Sequence, residues 1–293
     1  MLGLIGVGLL VPSIILQRLR HSSSAFELSM YLSNPHLFKA TARISQIIAI
    51  TASDAKESKV PSNLIEVVTH KVILDESLFH PQGGGQPSDR GLLVTDSGDV
   101  FKIVFASSSS KTGDKINEHF GYELTDAAKK MPDVEELTNS AATLDMNAGK
   151  GPVALSGGRE ATLFEGQLVE MQIDVEHRLM STRLHSAGHS IDAALKRCKD
   201  DVFSRLKATK GYHFMDGPYV EYEGDLTEQE LKELPDIITK HMDEIVKENI
   251  MTTVRMMEKS EASTLLNLAA EELQYYPNSV RVVDVAGTFH NTE

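Results

Sequence analysis

A loop rich in glycine and proline, residues 80–91 (HPQGGGQPSDRG), constrains the fold more than any other stretch of the chain. Three consecutive glycines and two prolines do not continue a helix or the interior of a strand, so this segment must be a loop or tight turn. β-branched runs of strand length lie on both sides of it, with a polar turn at residues 51–63; the runs are residues 39–51, 65–74, 91–95 and 100–105. Short strands at this spacing predict a small β-barrel or sandwich.

The composition limits the class of protein. A length of 293 residues suggests about two domains, and 41% hydrophobic with 24% charged residues is ordinary globular usage. The single cysteine excludes an intrachain disulfide and a self-contained multi-cysteine zinc site. The net charge of −13 argues against non-specific binding of polyanions over the whole surface.

Residues 1–29 are treated as a leader or a mis-predicted start, with Met30 as the natural beginning. The first 16 residues are almost wholly apolar, but they are fewer than the ~18–20 that a membrane-spanning helix needs, and no positive region precedes them. A membrane anchor and a targeting leader are the alternatives. We expect no stable membrane partner and a cytoplasmic location, with organelle targeting through the leader as the alternative.

The chain after the first block divides into two parts. Residues 106–160 contain SSSS, NAGKGP and SGGR and predict a flexible insertion, with one helix near residues 126–138. Residues 161–293 predict helices packed on one face of an antiparallel sheet, which makes the fold class α+β. The predicted elements are a strand at 168–173, a helix at 176–199, a hairpin at 211–225, a helix opened by a Thr227–Glu230 capping box, and strands at 252–257 and 279–285.

Two histidines indicate a metal site. His185 and His189 are spaced i, i+4 in the predicted helix, so their rings share one face and can chelate one ion, although surface histidines also show this spacing. Gly188 lies between them, and its cost in a helix, about 1 kcal/mol relative to Ala, indicates a close approach or a packing requirement. Cys198 comes nine residues after His189, on the opposite side of the helix, and is not expected to be a ligand. His213, His290, Asp or Glu remain candidates.

The glycine-rich loop is the second candidate site. The backbone N–H groups of Gly83, Gly84 and Gly85 are unobstructed and can approach a carboxylate, a carbonyl or a phosphate, and Gln86 adds a side-chain amide. The loop is not a phosphate-binding P-loop because no GK[ST] follows it. A plain hairpin explains the same glycines about as well.

Four stretches in a fixed order, LDESLFHPQGGGQPSDRG, QIDVEHRLMSTRLHSAGHSIDAAL, KGYHFMDGPYVEYEG and SVRVVDVAG, resemble a known family. It is the freestanding alanyl-tRNA editing proteins (AlaX), which are similar to the editing domain, or second additional domain, of alanyl- and threonyl-tRNA synthetases. The segment MYLSNPHLFKATARI also resembles the start of that family. The resemblance covers residues 30 to the end, except 106–160.

The resemblance implies an N-terminal small β-barrel carrying the glycine-rich motif (residues 30–105), followed by an α+β editing domain (residues 161–293). It implies hydrolysis of the ester that joins serine or glycine to tRNA(Ala), with Zn²⁺ held by His185, His189 and the Cys and His of a C-terminal CxxxH motif. Gln86 corresponds to the glutamine of the glycine-rich motif, and Gly83, Gly84 and Gly85 would face the aminoacyl end of the tRNA. Ser77 falls where family members often have a Thr that faces the substrate.

The CxxxH motif, usually CGGTH, is absent from the chain. One alignment treats VAGTFH as a degraded copy with His290 as a ligand, and the other treats it as the strand and loop that precede the motif, so that the domain is C-terminally truncated. We favour the second alignment, because the family has a similar strand before its Cys. Either alignment leaves the site short of a ligand. A tRNA-binding relative without a functional metal site and a fragment of a synthetase-like protein are therefore alternatives to an active deacylase.

Residues 196–210 form the basic strip that an acidic tRNA-binding protein needs, with six basic and two acidic residues. We predict that it contacts tRNA phosphates next to the histidine helix; a solvated helix end with favourable dipole placement is the alternative. The predicted tRNA-binding residues are Lys196, Arg197, Lys199, Lys207 and Lys210.

Overall fold

The computed structural model describes residues 29–110, 115–124, 163–198, 205–268 and 279–291. Within these ranges the chain forms eleven strands and five helices, which confirms the predicted α+β class. Nowhere in the same ranges is a helix long and apolar enough to span a bilayer. The leader up to residue 28, the predicted helix at 126–138 and most of the predicted insertion lie outside the described residues.

Six antiparallel strands form a closed barrel in the order β1-β2-β5-β4-β3-β6. Alternate residues point inward, so that Ile44, Val72, Leu93 and Met171 are buried in one core cluster. The N-terminal helix α1 (Met30–Ser33) packs through Met30 against that cluster. The strands are β1 Lys39–Ala49, β2 His70–Leu74, β3 Gly91–Thr95, β4 Val100–Ser110, β5 Lys115–Glu123 and β6 Leu168–Ile173.

The barrel extends into the region that the sequence assigned to a flexible insertion. Strand β4 continues past residue 105, and β5 lies wholly between residues 106 and 160, where it pairs with both β2 and β4. The sequence of β5, KINEHFGYE, contains few apolar residues, and the side chains that it buries include those of Glu118 and His119. Because successive side chains of a strand point to opposite faces, β5 is buried on both faces, and polar residues at its buried positions hide the alternation that normally predicts a strand.

Two further elements differ from the sequence prediction. The predicted polar turn at 51–63 contains helix α2 (Ala52–Glu57), opened by a capping box between Thr51 and Asp54. Strand β6, which the sequence placed in the second block, pairs with β1 and β3 and closes the barrel. A closed barrel leaves no strand edge unpaired, which explains why β6 belongs to it.

The second half of the chain contains the predicted helices and hairpin together with one strand that the sequence did not predict, β11. The Thr227–Glu230 capping box is present, and the helix that it opens continues through Pro235. The strands form a two-stranded sheet, β7-β8, and a three-stranded sheet in the order β11-β10-β9. The elements are α3 Val175–Lys196, β7 Leu206–Tyr212, β8 Tyr219–Gly224, α4 Glu228–Glu248, β9 Thr253–Glu258, α5 Lys259–Leu266, β10 Ser279–Val285 and β11 Thr288–Asn291.

A buried ion pair fastens the glycine-rich loop to helix α3. Nε of Arg178, in the first turn of α3, donates to both carboxylate oxygens of Asp89 at 2.8 Å, and its Nη2 donates to Leu78 O at 2.8 Å. The side chains of Arg178 and Asp89 are 4% and 1% exposed. Next to them, Asp174 caps the start of α3 and accepts a hydrogen bond from Arg90 at 2.8 Å. These contacts hold the end of the loop, at Asp89 and Arg90, against the start of α3.

We expect Arg178→Met to lower the free energy of unfolding by about 3–5 kcal/mol, because it leaves the Asp89 carboxylate buried without its partner. The measurement is urea unfolding of the full chain. Arg197→Met is the matched control, since Arg197 makes an equally short two-point contact with Glu248 at 2.8 and 2.9 Å, but on the surface. Exposed pairs contribute little, so the control should unfold close to the wild-type midpoint. Equal effects of the two substitutions would contradict this assignment.

Candidate functional site

His185 and His189 share one face of helix α3, as their i, i+4 spacing predicts. The ring centroids of His185 and His189 lie 4.8 Å apart. Burial, together with the neighbouring imidazoles, lowers the pKa of His185 to about 3. The ring is therefore neutral at pH 7 and keeps a lone pair, as a metal ligand or hydrogen-bond acceptor must.

The glycine-rich loop contacts this face directly. A tight turn, closed by hydrogen bonds from Gly83 N to Gln86 O (3.2 Å) and from Gln86 N to Gly83 O (2.9 Å), turns the Gln86 side chain inward. Its Oε1 lies 2.8 Å from His185 Nδ1. Because an amide oxygen only accepts, Nδ1 carries the proton and Nε2 of His185 keeps the lone pair. The structure thus joins the two motifs that the sequence singled out.

The β7–β8 hairpin forms the third side of the site, and helix α3 and the glycine-rich loop form the first two. His213 N donates to Gly85 O at 2.9 Å, and the His213 ring stacks on His185 with centroids 4.7 Å apart. A Cβ on Gly188 would lie 2.3 Å from His213 Cε1, and one on Gly85 would lie 2.4 Å from Gly211 O. The predicted close approach at Gly188 is therefore confirmed, and the approaching group is the His213 ring.

Strand β11 brings a fourth imidazole. The side chain of His290 is largely buried (13% exposed), its ring centroid lies 4.0 Å from that of His189, and burial lowers its pKa to about 4. His290 Nε2 is buried and has no hydrogen-bond partner among the described residues. This position favours the alignment in which His290 is a ligand, and the choice between the two alignments stays a prediction. We call His185, His189, His213 and His290 the histidine cluster.

One carboxylate completes the cluster. Asp192 follows His189 by three residues, and its Oδ2 lies 4.0 Å from His189 Nδ1 and 3.9 Å from His290 Nδ1. One potential ligand atom from each of these three residues lies within 4.8 Å of the other two. Two imidazoles and a carboxylate are a common donor set of hydrolytic zinc sites. The residues present therefore fit a metal ion.

The other residues proposed as ligands are arranged differently. His185 has one nitrogen bonded to Gln86 and lies beside the His189–Asp192–His290 group rather than in it. Cys198 is outside that group, and its thiol lies 3.5 Å from Ala194 O, in agreement with the prediction that it points away. Asp192 was not singled out from the sequence, although its i+3 spacing from His189 was a signal that could have identified it.

Ser77 is directed into the barrel. Its hydroxyl lies 2.7 Å from Nε2 of His119 and accepts a hydrogen bond from Phe79 N at 3.1 Å. His119 is fully buried, and burial lowers its pKa to about 4. The predicted contact of Ser77 with a substrate stays a prediction.

The basic strip is divided between intramolecular contacts and the surface. Lys196 Nζ donates to Gly287 O at 2.7 Å, and Arg197 pairs with Glu248, so both already have partners within the chain. Lys199 lies outside the described residues. Lys207 and Lys210 are exposed on β7, and Lys210 Nζ lies 5.4 Å from the centroid of the Tyr219 ring.

A cleft of about 240 Å³ opens beside the histidine cluster. Residues of the glycine-rich loop, helix α3 and the β7–β8 hairpin line it; they include Gly84, Gly188, His189, Asp192, Lys210 and His213. Two candidate metal ligands, His189 and Asp192, thus line a space that a small group can enter, and one exposed lysine, Lys210, borders that space.

No protein-family model matches the chain. Several curated proteins are nevertheless similar to it. An alanine–tRNA ligase of Methanobrevibacter smithii is 26% identical over 217 residues, covering 74% of this chain and 19% of the ligase. A second, of Methanosphaera stadtmanae, is 23% identical over 236 residues, covering 80% of this chain and 22% of the ligase. An alanyl-tRNA editing protein AlaX-L of Pyrococcus horikoshii is 24% identical over 198 residues, covering 65% of this chain and 38% of that protein.

The chain has homologues among alanine–tRNA ligases and AlaX-L editing proteins, which confirms the resemblance seen in its motifs. It spans about a fifth of the length of these ligases and 38% of the length of the editing protein.

We expect Gly188→Ala to lower the free energy of unfolding by roughly 1–2 kcal/mol, although Ala favours a helix over Gly. The added methyl would meet the His213 ring, which Gly211 and His185 hold from other sides. Urea unfolding is the measurement, and Ser186→Ala on the exposed face of the same helix is the control, expected to be neutral. If Gly188→Ala were as stable as that control, the close approach would be refuted.

Proposed function

We propose that this protein is a zinc-dependent hydrolase that cleaves the ester between wrongly attached serine or glycine and tRNA(Ala), acting in trans. The observation that carries the proposal is the hydrogen bond between Gln86 and His185, because it joins the glycine-rich motif and the histidine motif at one cleft. The printed names of the relatives, alanine–tRNA ligase and alanyl-tRNA editing protein, support the substrate class.

The same proposal assigns the parts of the fold. The barrel would present the glycine-rich loop, and α3, the β7–β8 hairpin and the β9–β11 sheet would form the editing domain. The contacts at the start of α3 join these two parts, because Arg178 and Asp174 connect that helix to the loop residues Asp89 and Arg90. The two parts would then act as one unit.

The protein residues have distinct roles in the proposed reaction. His189 and His290 would hold the zinc ion, with His185 beside them as a further predicted ligand. When bound, such an ion polarises the scissile carbonyl and lowers the pKa of water. Gln86 fixes the ring of His185 through Nδ1. The N–H groups of the glycine turn would bind the aminoacyl end of the tRNA.

Selection of serine would depend on a polar pocket. A site that hydrogen-bonds a substrate hydroxyl discriminates strongly, whereas an apolar site rejects such a group poorly. We propose Ser77 for this contact, and its hydroxyl would then exchange or share its hydrogen bond with His119.

We expect the purified chain loaded with zinc to deacylate seryl-tRNA(Ala), and His189→Ala to slow this reaction at least about 100-fold through loss of the metal. Release of labelled serine is the measurement, and chelation of zinc should have the same effect as the substitution. His36→Ala, at an exposed residue outside the site, is the control. Tight binding of the tRNA without turnover would instead support a relative that only binds tRNA.

We also expect Lys210→Ala to weaken tRNA binding, because the variant would lose one contact with a tRNA phosphate. The slope of the logarithm of the binding constant against the logarithm of the salt concentration should become smaller by about 1. Filter binding at several salt concentrations measures this slope. Lys56→Ala on the exposed face of α2 is the matched control and should leave the slope unchanged. If both variants had the same slope, Lys210 would not be part of the tRNA-binding surface.

A further inference from the structure

We propose that Asp192 is a metal ligand, so that this chain holds its ion with two imidazoles and a carboxylate, His189, Asp192 and His290, in the place where the resemblance implies a cysteine thiolate. The inference deepens the proposed function and rests on its zinc dependence, but not on tRNA as the substrate.

The side chains of His189, Asp192 and His290 lie close together, but Asp192 is too far from either ring for a hydrogen bond. The two distances from Asp192 Oδ2, 4.0 Å to His189 Nδ1 and 3.9 Å to His290 Nδ1, exceed the ~3.2 Å limit of an N–H···O hydrogen bond. Neither imidazole is therefore hydrogen-bonded to this oxygen, although all three groups face one another. Ligands at about 2.0–2.1 Å from a tetrahedral zinc ion are roughly 3.3 Å apart, so each of the two Asp192 distances would have to shorten by well under 1 Å.

The Asp192 carboxylate is already oriented. Its other oxygen, Oδ1, accepts a hydrogen bond from the hydroxyl of Tyr222 on β8. Burial and this carboxylate together raise the pKa of Tyr222, so the hydroxyl stays a donor at neutral pH. A partner that holds one oxygen of a ligating carboxylate while the other faces the ion is the usual outer-shell arrangement of metal sites. Tyr222 is therefore a positioning residue.

A thiolate is not available to take this place among the described residues. Cys198 is the only cysteine of the chain, and its Sγ lies on the side of α3 where it contacts Ala194 O.

The test measures metal binding by the full chain, by titrating zinc against a competing chelator. We expect Asp192→Asn to weaken zinc binding at least about 100-fold and Tyr222→Phe about 10–100-fold. Asp216→Asn is the matched control, because Asp216 also accepts a hydrogen bond from a tyrosine, Tyr212 at 3.0 Å, on the same hairpin but away from the histidine cluster. It should bind zinc like the wild type. Circular dichroism verifies that each variant is folded.

A second readout reports the ligand atom itself. In a Cys198→Ser background, Asp192→Cys loaded with Co²⁺ should show the near-ultraviolet charge-transfer band of a cobalt–thiolate bond, and the parent protein should not. Wild-type zinc affinity in Asp192→Asn, with loss of binding in His189→Ala, would overturn the inference and leave the proposed function standing. The absence of the thiolate band in the folded Asp192→Cys protein would overturn it as well. Zinc binding through Asp192 without deacylation of seryl-tRNA(Ala) would overturn the proposed function alone.

Discussion

The buried ion pair between Arg178 and Asp89 is the interaction on which the site depends. Arg178 lies two helical turns before His185 on α3, and Asp89 lies three residues after Gln86 in the loop. A rigid helix converts a fixed contact at one end into a fixed position of the side chains further along. The pair thus sets the position at which His185 meets Gln86, although it touches neither.

The histidine cluster shows how burial and chemistry act together. Imidazoles that are packed against one another and removed from water favour the neutral form, and their pKa values fall accordingly. Neutral rings stack without repulsion and keep the lone pairs that a metal ion needs. The glycines at 85 and 188 allow the three walls to come this close, since any side chain at either position would overlap the neighbouring wall.

Local patterns predicted much of the fold and the helical part of the site. The i, i+4 spacing of His185 and His189 and the Thr227–Glu230 capping box depend only on neighbouring residues, and the structure has both features. Strand β5 was not predicted because its buried positions include polar residues. The approach of His290 to α3 depends on sheet pairing between β10 and β11, which a single sequence does not reveal. The partners of Lys196 and Arg197 are likewise distant in sequence, so these two side chains looked free from the sequence although both have partners within the chain.

The placement of His290 on β11 has a consequence for folding. Among the strands that the structure describes, β11 pairs with β10 alone, at the edge of a three-stranded sheet, and its His290 ring lies next to His189 of helix α3. An ion shared between them would act as a cross-link, and binding to the native state alone adds a stability of RT ln(1 + [L]/Kd). The concentration of free metal would then determine how stably the β9–β11 sheet packs against helix α3. Metal binding and the folding of this sheet would be one coupled equilibrium.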